Sequence, residues 1–457
     1  MRMETAHSDH GFHWTSIPLI GFAIGSFAGI AIAQTSLGLG LLGLILSPIF
    51  RRKWGGSPPR DIGPALGGLA PVLIFYFAVQ IFAIVTSQHI YRSFTCLRGD
   101  LPVLILPLFV LLFLRSPRPW LPLWVFLGMA ALSGLYGLWQ FFSGMDLYHG
   151  EGLEALAAGT YIAIGNLGGH LTYGGVHLVA TLLALGLALY GPPGRIRRWA
   201  WFLALASGAG LLTSAARTAW VGFLAGSSVL LWGLGRRRFL LGLAAMIVLA
   251  GLALLLPGVA DRAQGFLQFS DLPRIRLWRT ALKIWADFPI FGAGLGAYKT
   301  HFPLYKLPGG YMSTIHPHND LLNIAVHSGI AGLVAFAWLW IRLWRGLKEG
   351  LAAPARVRGL AWGGLAVIVG FLVAGGGQCY FTDEEPVAAL WFVLGMGITA
   401  VWSAKGYPQD AAQRKDGIDD EGLEALPPLD QGVASGTSQP SPTDRFRIPS
   451  RAGDRSG

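Results

Sequence analysis

The 457-residue sequence predicts an all-α polytopic membrane protein with about twelve transmembrane helices. Three observations carry that reading. Hydrophobic residues make up 53% of the chain and charged residues 13%, where a soluble domain runs near a quarter charged. Apolar runs of the length needed to cross about 30 Å of hydrocarbon recur along most of the chain. Basic residues form short clusters that fall in alternate loops. A mean hydropathy of +0.51 excludes an ordinary soluble enzyme. The excess of 35 Lys and Arg over 24 Asp and Glu would fit a nucleic-acid binder. Its dispersal between apolar runs reads instead as topology signals, with membrane lipids and not nucleic acid as the surroundings.

The runs lie at roughly 15–33, 35–50, 64–87, 101–114, 120–142, 172–190, 199–214, 218–235, 239–257, 321–341, 359–376 and 386–403. The first ends on Ala31-Ile32-Ala33, which resembles a cleavage site, but Arg2 is offset by Glu4 and Asp9, so a retained span is preferred. Seventeen basic residues follow the even-numbered spans: Arg51, Arg52, Lys53 and Arg60, then Arg115 and Arg118, Arg195, Arg197 and Arg198, Arg236 to Arg238, and Arg342, Arg345, Lys348, Arg356 and Arg358. The short loops of the other side hold only Arg92, Arg98 and Arg217. The positive-inside rule then puts both termini in the cytoplasm and segments 143–171 and 258–320 outside. Residues 1–403 form the membrane domain. Residues 404–457 carry 7 basic and 9 acidic side chains among Ser, Pro, Gly and Gln, and are expected to be a disordered cytoplasmic tail.

The two cysteines, Cys96 and Cys379, both fall on the outer side, where either a disulfide or two isolated buried thiols would fit. No CxxC or Cys/His zinc spacing occurs, so no metal site is expected.

Chemistry is expected in 258–320. Asp271 and Pro273 look like a helix start, and Pro289 ends the helix after Phe288. Ile275, Trp278, Leu282 and Trp285 mark an apolar face, opposite Arg276, Arg279, Lys283 and Asp287. An amphipathic helix on the membrane surface accounts for this pattern. Arg274 breaks it: it lies four residues before Trp278, on the face that packs inward. An inward arginine needs an anionic partner, either a protein carboxylate or an anionic substrate. Gly292-Ala-Gly-Leu-Gly296 follows as a flexible turn, since no strand precedes it to make a nucleotide loop.

His316-Pro317-His318-Asn319-Asp320 stands at the mouth of the tenth span. A histidine there has the pKa range for proton transfer near neutrality. Arg217, in the short turn Ser214-Ala-Ala-Arg217, is a lone arginine on the side depleted of positive charge. It fits either a lipid headgroup or an anion in a shared pocket. The segment 143–171 contributes Asn166 and His170, which together with His316 and Asn319 are candidate substrate-binding residues.

These residues resemble the O-antigen ligase family. Arg274-Ile-Arg-Leu-Trp278 with Ala281-Leu282 resembles its Arg-x-x-x-Trp-x-x-Ala-Leu, and Pro289-Ile-Phe-Gly292-Ala-Gly294 its Pro-Leu-x-Gly-x-Gly. His318-Asn319, nine residues and then Gly329-x-x-Gly332 match its His-Asn-x9-Gly-x-x-Gly. Ser214 to Trp220 resembles its Ser-Arg-x-x-Trp turn, with two alanines inserted before Arg217. The resemblance implies a bacterial inner-membrane glycosyltransferase with a helical C-type glycosyltransferase fold and no cofactor. It implies transfer of a glycan from undecaprenyl pyrophosphate to the lipid A–core acceptor of lipopolysaccharide on the periplasmic face. Arg217 and Arg274 would hold the pyrophosphate and His318 would activate the acceptor hydroxyl, without a metal. An O-antigen or exopolysaccharide polymerase, or a protein oligosaccharyltransferase, would share the donor chemistry. A transporter predicts ionisable residues in mid-membrane, and the spans contain few acids.

Overall fold

The computed structural model describes residues 14–54, 68–150, 152–262, 272–311 and 315–405, all within one unit, Met1–Pro408. The expected tail from 406 onward, Glu151 and Asp271 lie outside the described residues. The chain is overwhelmingly helical. The longer helices are α1 Ser16–Ala28, α2 Ile30–Trp54, α3 Ala70–Val85, α4 Ile90–Cys96, α5 Ile105–Arg115, α6 Trp120–Ser143, α7 His170–Tyr190 and α8 Arg195–Thr213. They continue as α9 Arg217–Trp232, α10 Arg236–Ala253, α11 Leu272–Asp287, α12 Ala297–Tyr305, α13 Asp320–Lys348, α14 Ala355–Gly375 and α15 Glu384–Ala404. One departure from an all-α chain is a small antiparallel hairpin in the α6–α7 connection, Ala155–Ala157 with Thr160–Tyr161.

Each of the twelve apolar runs overlaps a helix, although the first, 15–33, is split at Gly29 between α1 and α2. By length and apolarity, six stretches among the described residues qualify as membrane spans: Ile30–Ser47, Trp120–Ser143, His170–Tyr190, Asp320–Ala352, Ala355–Gly375 and Glu384–Ala404. A seventh is added if Ile90–Gly99 and Leu101–Arg115, bent by 42°, count as one crossing. The remaining helices, such as α1 and α3, are apolar but shorter. The chain is therefore a multi-pass membrane protein, with fewer clear spans than the apolar runs alone predict.

The buried centre is α7 with α14 and α9. Without a hydrophobic drive between helices in lipid, close approach at small residues does the packing. At the α7–α14 crossing, a Cβ on Gly186 would lie 2.5 Å from Gly363 N, so only glycine fits. Phe392 of α15 ties α1, α5 and α6 to this centre, its ring 5.3 Å from Phe22, 5.1 Å from Phe109 and 5.1 Å from Phe126. Large apolar side chains on α2, α3 and α10, among them Ile45, Ile74, Phe82 and Leu249, face outward as lipid-facing residues do.

The two ends of the bundle differ. At one end Thr15 bonds Arg115 O, Arg356 stacks 5.0 Å from the Trp120 ring and Lys405 pairs with Glu349. This end gathers basic loops and both extremities of the described chain. At the other end, the N-terminus of α7, the α8–α9 turn, the N-terminus of α13 and the α14–α15 loop meet.

The last two glycine motifs of the sequence turn out to be partners. Gly329 breaks α13 with φ 62 and ψ −156. The break exposes backbone groups that a continuous helix would satisfy internally. Segment 289–294 takes them up: Ile330 N donates to Pro289 O (2.9 Å), Ala331 N to Ile290 O (3.0 Å), Ala293 N to Val326 O (2.8 Å) and Gly294 N to His327 O (3.2 Å). The Gly292–Gly296 turn, expected to be flexible, is thus pinned to α13, and Ser87 Oγ holds Ala293 O from the other side at 3.0 Å.

The phase of α11 also corrects the sequence reading. Its buried residues are Leu277, Thr280, Ala281 and Ile284, which pack with Tyr298 and Phe302 of α12 and Val326 of α13. The expected face of Ile275, Trp278, Leu282 and Trp285 is only partly buried, and Leu282 is exposed. The small Ala281 permits close packing, whereas the tryptophans suit an interface between protein and headgroups. The helix ends at Asp287, one residue before the expected Phe288. Cys96 and Cys379 are free thiols.

Candidate active site

The site is assembled from five pieces, the last of which brings two separate segments of chain together. The first is the α8–α9 turn. Ser214 Oγ donates to Leu211 O (2.7 Å) and accepts from Ala216 N (3.2 Å), and Ala215 adopts a left-handed φ of 51°. The two inserted alanines therefore build a sharp corner that starts α9 at Arg217. Trp220 Nε1 donates to Leu211 O at 2.9 Å and closes the corner from the far side.

The second and third pieces grip that corner. His170, the first residue of α7, pairs its Nδ1 with Ser214 O at 3.2 Å. Arg262 donates from Nε to Ala215 O at 3.4 Å. Arg217 and Glu154 lie within electrostatic range of Arg262, and Arg262, Arg274 and Glu154 within range of His170. Burial and the field of Arg217 both oppose the charge on Arg262, while Glu154 favours it. The corner therefore concentrates positive charge.

The fourth piece is α11. Arg274, half-buried near its start, sends its field to His170, His318 and Tyr380. Its neighbours point elsewhere. Arg276 donates from Nη1 to Gly310 O at 3.3 Å, and Arg279 is exposed. Arg274 is thus the arginine of this helix whose field reaches the cluster, although the helix is rotated from the phase on which its inward position was expected.

The fifth piece joins the N-terminus of α13 to the α14–α15 loop. His318 has a left-handed φ of 51°, and its Nδ1 lies 2.5 Å from Gln378 Oε1. The His316 ring stands edge-on to it, centroids 4.3 Å apart. Asn319 caps α13 by accepting from Leu322 N (3.0 Å) and donates from Nδ2 to Gly376 O (2.8 Å). Asp320 accepts from Phe381 N at 3.0 Å. Tyr380 and Thr218 hydroxyls meet at 3.4 Å, and Thr172 Oγ1 donates to Asp383 at 2.8 Å. The α14–α15 loop is a keystone linking α7, α9 and α13.

Both histidines of the loop are held neutral. Burial lowers the pKa of His318, Arg274 lowers it further, and the Gln378 hydrogen bond works the other way. Burial, aided by His318, pushes His316 down to about 4. A neutral imidazole beside fixed arginines can accept a proton while the cations hold an anion. Among the described residues no group of three His, Cys, Asp or Glu side chains is arranged to hold a metal.

Of the residues singled out from sequence, Arg217, Arg274, His170, His316 and His318 come together. Asn319 is engaged at both ends of its amide in holding the scaffold. Asn166 lies in a different place, lining a cavity of about 350 Å³ with Phe27, Ser133, Tyr136 and Tyr148. Arg262 and Gln378 were not anticipated. Arg262 is one of several basic residues in 258–320, and nothing in its sequence spacing sets it apart from Arg276 or Arg279. Gln378 sits in the polar break Gly377-Gln-Cys-Tyr-Phe-Thr-Asp383 between two apolar runs.

No curated protein matches the chain. A family model described as O-antigen ligase matches residues 201–337. That stretch contains the Ser214–Arg217 corner, Arg262, Arg274, His318 and the Gly329 junction. His170 and Gln378 flank it on either side. Residues 201–337 of this membrane protein are thus similar to the O-antigen ligase family, the family that the four sequence motifs resemble.

Proposed function

We propose that the protein is an O-antigen ligase, moving a glycan from undecaprenyl pyrophosphate to the lipid A–core of lipopolysaccharide at the periplasmic face of the bacterial inner membrane. The observation that carries this reading is a run of neighbouring charges at the end of the bundle away from the basic loops: Arg217 lies within electrostatic range of Arg262, Arg262 and Arg274 within range of His170, and Arg274 within range of His318. Alternate basic loops orient that end outward. A pyrophosphate leaving group gains negative charge as its bond to the sugar breaks. Guanidinium forks match phosphate oxygens and stabilise that charge without reorganising. The acceptor hydroxyl has a high pKa and reacts faster beside a positioned base, the role assigned to His318. His316 and His170 line the approach to the sugar and the pyrophosphate. The activated donor supplies the driving force, so no cofactor is needed.

The test is transfer by purified protein in lipid nanodiscs, with lipid-linked glycan as donor and candidate acceptors offered separately. Lipid A–core should be glycosylated by wild-type protein. His318→Ala should lose about 10²–10⁴ in rate while retaining donor binding through the arginines. Chain extension of a second lipid-linked glycan, with lipid A–core untouched, would identify a polymerase instead. A His318→Ala protein working at normal rate would remove the proposed base.

A further inference from the structure

We infer that Gln378 is the positioning residue that sets the tautomer of His318, and so decides which ring nitrogen takes the proton. The inference rests on the glycosyl-transfer reading above. A neutral imidazole has one N–H and one lone pair, and which nitrogen holds which is set by the partner at the other. The partner of Nδ1 is the amide oxygen of Gln378, at 2.5 Å. An amide oxygen only accepts, so Nδ1 carries the hydrogen and Nε2 keeps the lone pair.

The arrangement is rigid on both sides. Gln378 is 7% exposed, and its loop is tied to the base of α13 by Asn319 Nδ2 on Gly376 O (2.8 Å) and Phe381 N on Asp320 Oδ1 (3.0 Å). Gln378 lies between the tied positions Gly376 and Phe381, and His318 directly precedes the tied Asn319, with a left-handed backbone. Histidine rarely adopts that conformation without such support.

The consequence for the reaction is specific. The acceptor oxygen forms its bond to the anomeric carbon as the bond from that carbon to the pyrophosphate oxygen breaks. The electron pair leaves with the pyrophosphate, held by the arginines. The hydroxyl proton passes to Nε2, giving an imidazolium with hydrogens on both nitrogens. Gln378 accepts from Nδ1–H throughout, and the proton on Nε2 later leaves to water. With the opposite tautomer, Nε2 would present a hydrogen to the acceptor hydroxyl and no transfer would occur.

Two variants of the full-length protein separate this role from simple packing. Gln378→Leu removes the acceptor at nearly constant volume. It should lower kcat at least tenfold with KM for the lipid-linked donor within about twofold, because the arginines are untouched. Gln378→Glu keeps an acceptor of the same size and adds charge. A carboxylate beside an imidazole favours its protonated form by about 1–3 pH units. This variant should remain active, with the acid limb of its kcat–pH profile moved upward by at least one unit. A purely structural role would not move that limb. An independent readout needs no substrate. Nitrogen-15 spectra of histidine-labelled protein, with the His318 signals assigned by their loss in His318→Ala, should show a protonated Nδ1 and an unprotonated Nε2. The reverse pattern would overturn the inference even if the transfer reading holds. Wild-type kcat in Gln378→Leu, or an unmoved acid limb in Gln378→Glu, would do the same. Failure of wild-type protein to transfer glycan, with the expected tautomer present, would sink the transfer reading and leave the Gln378–His318 pairing standing as a structural fact without its proposed catalytic role, which also overturns the inference.

Discussion

Gly329→Ala tests whether the break in α13 holds the site together. Gly329 has φ 62 and ψ −156, a region that residues with a Cβ avoid. Holding alanine there costs about 1–3 kcal/mol. The new methyl would also overlap the Ile290 carbonyl and lie 2.7 Å from Gly292 N. Neither is a flexible side chain, so the 289–294 segment must shift. That movement stretches the bonds from Ile330 N to Pro289 O and from Ala331 N to Ile290 O, each worth about 1 kcal/mol net. The total is roughly 3–5 kcal/mol, a large share of the about 5–15 kcal/mol that holds a typical protein folded. In detergent, followed by tryptophan fluorescence, the unfolding midpoint should fall by about 5–10 °C. Transfer should fall further than stability alone explains, because segment 289–294 joins α11, and with it Arg274, to α13, and with it His318. Gly128→Ala is the control, since a methyl there meets nothing within 4 Å. A Gly329→Ala protein with wild-type melting and wild-type transfer would refute the claim that the two glycine motifs form one joint.

Three further outcomes are expected. Arg274→Ala and Arg274→Lys should both impair transfer, the lysine because it keeps charge but loses the planar fork, whereas Arg279→Ala, at an exposed position, should stay within about twofold of wild type; equal losses at both positions in a transfer assay would mean that α11 presents its arginines differently. Transfer should depend on neutral His318, whose pKa burial and Arg274 lower below the ordinary 6.5, so the midpoint of the acid limb of the kcat–pH profile should lie below pH 6.5, and a midpoint above 6.5 would contradict it. In a protein lacking its native cysteines, Leu147→Cys should react with a membrane-impermeant maleimide from the periplasm and Arg195→Cys only after permeabilisation, and the reverse pattern would invert the orientation and with it the proposed donor.

The sequence by itself determined the helices, and it supplies the charge alternation from which the side of each loop is expected. Length and apolarity of a run are local properties, and alternation of Arg51–Arg60, Arg115–Arg118, Arg195–Arg198 and Arg236–Arg238 needs no knowledge of contacts. The same local logic singled out Arg217, Arg274 and His318, because a charge is noticed wherever topology or helical pattern makes it expensive. The rest was decided by packing. The phase of α11 was misread because Trp278 and Trp285 dominate its apolar pattern, yet Ala281 and Leu277 are what α12 and α13 can approach closely. Arg262 and Gln378 became visible only when segments distant in sequence met: 47 residues separate Arg262 from the carbonyl of Ala215, and 60 separate Gln378 from His318. Likewise Gly292 read as a flexible turn and Gly329 as part of a continuous span until the backbone groups freed at Gly329 were found bonded to the segment around Gly292. Hydrogen bonds between remote segments leave no period in a sequence, so the partners of each candidate residue had to come from the folded chain.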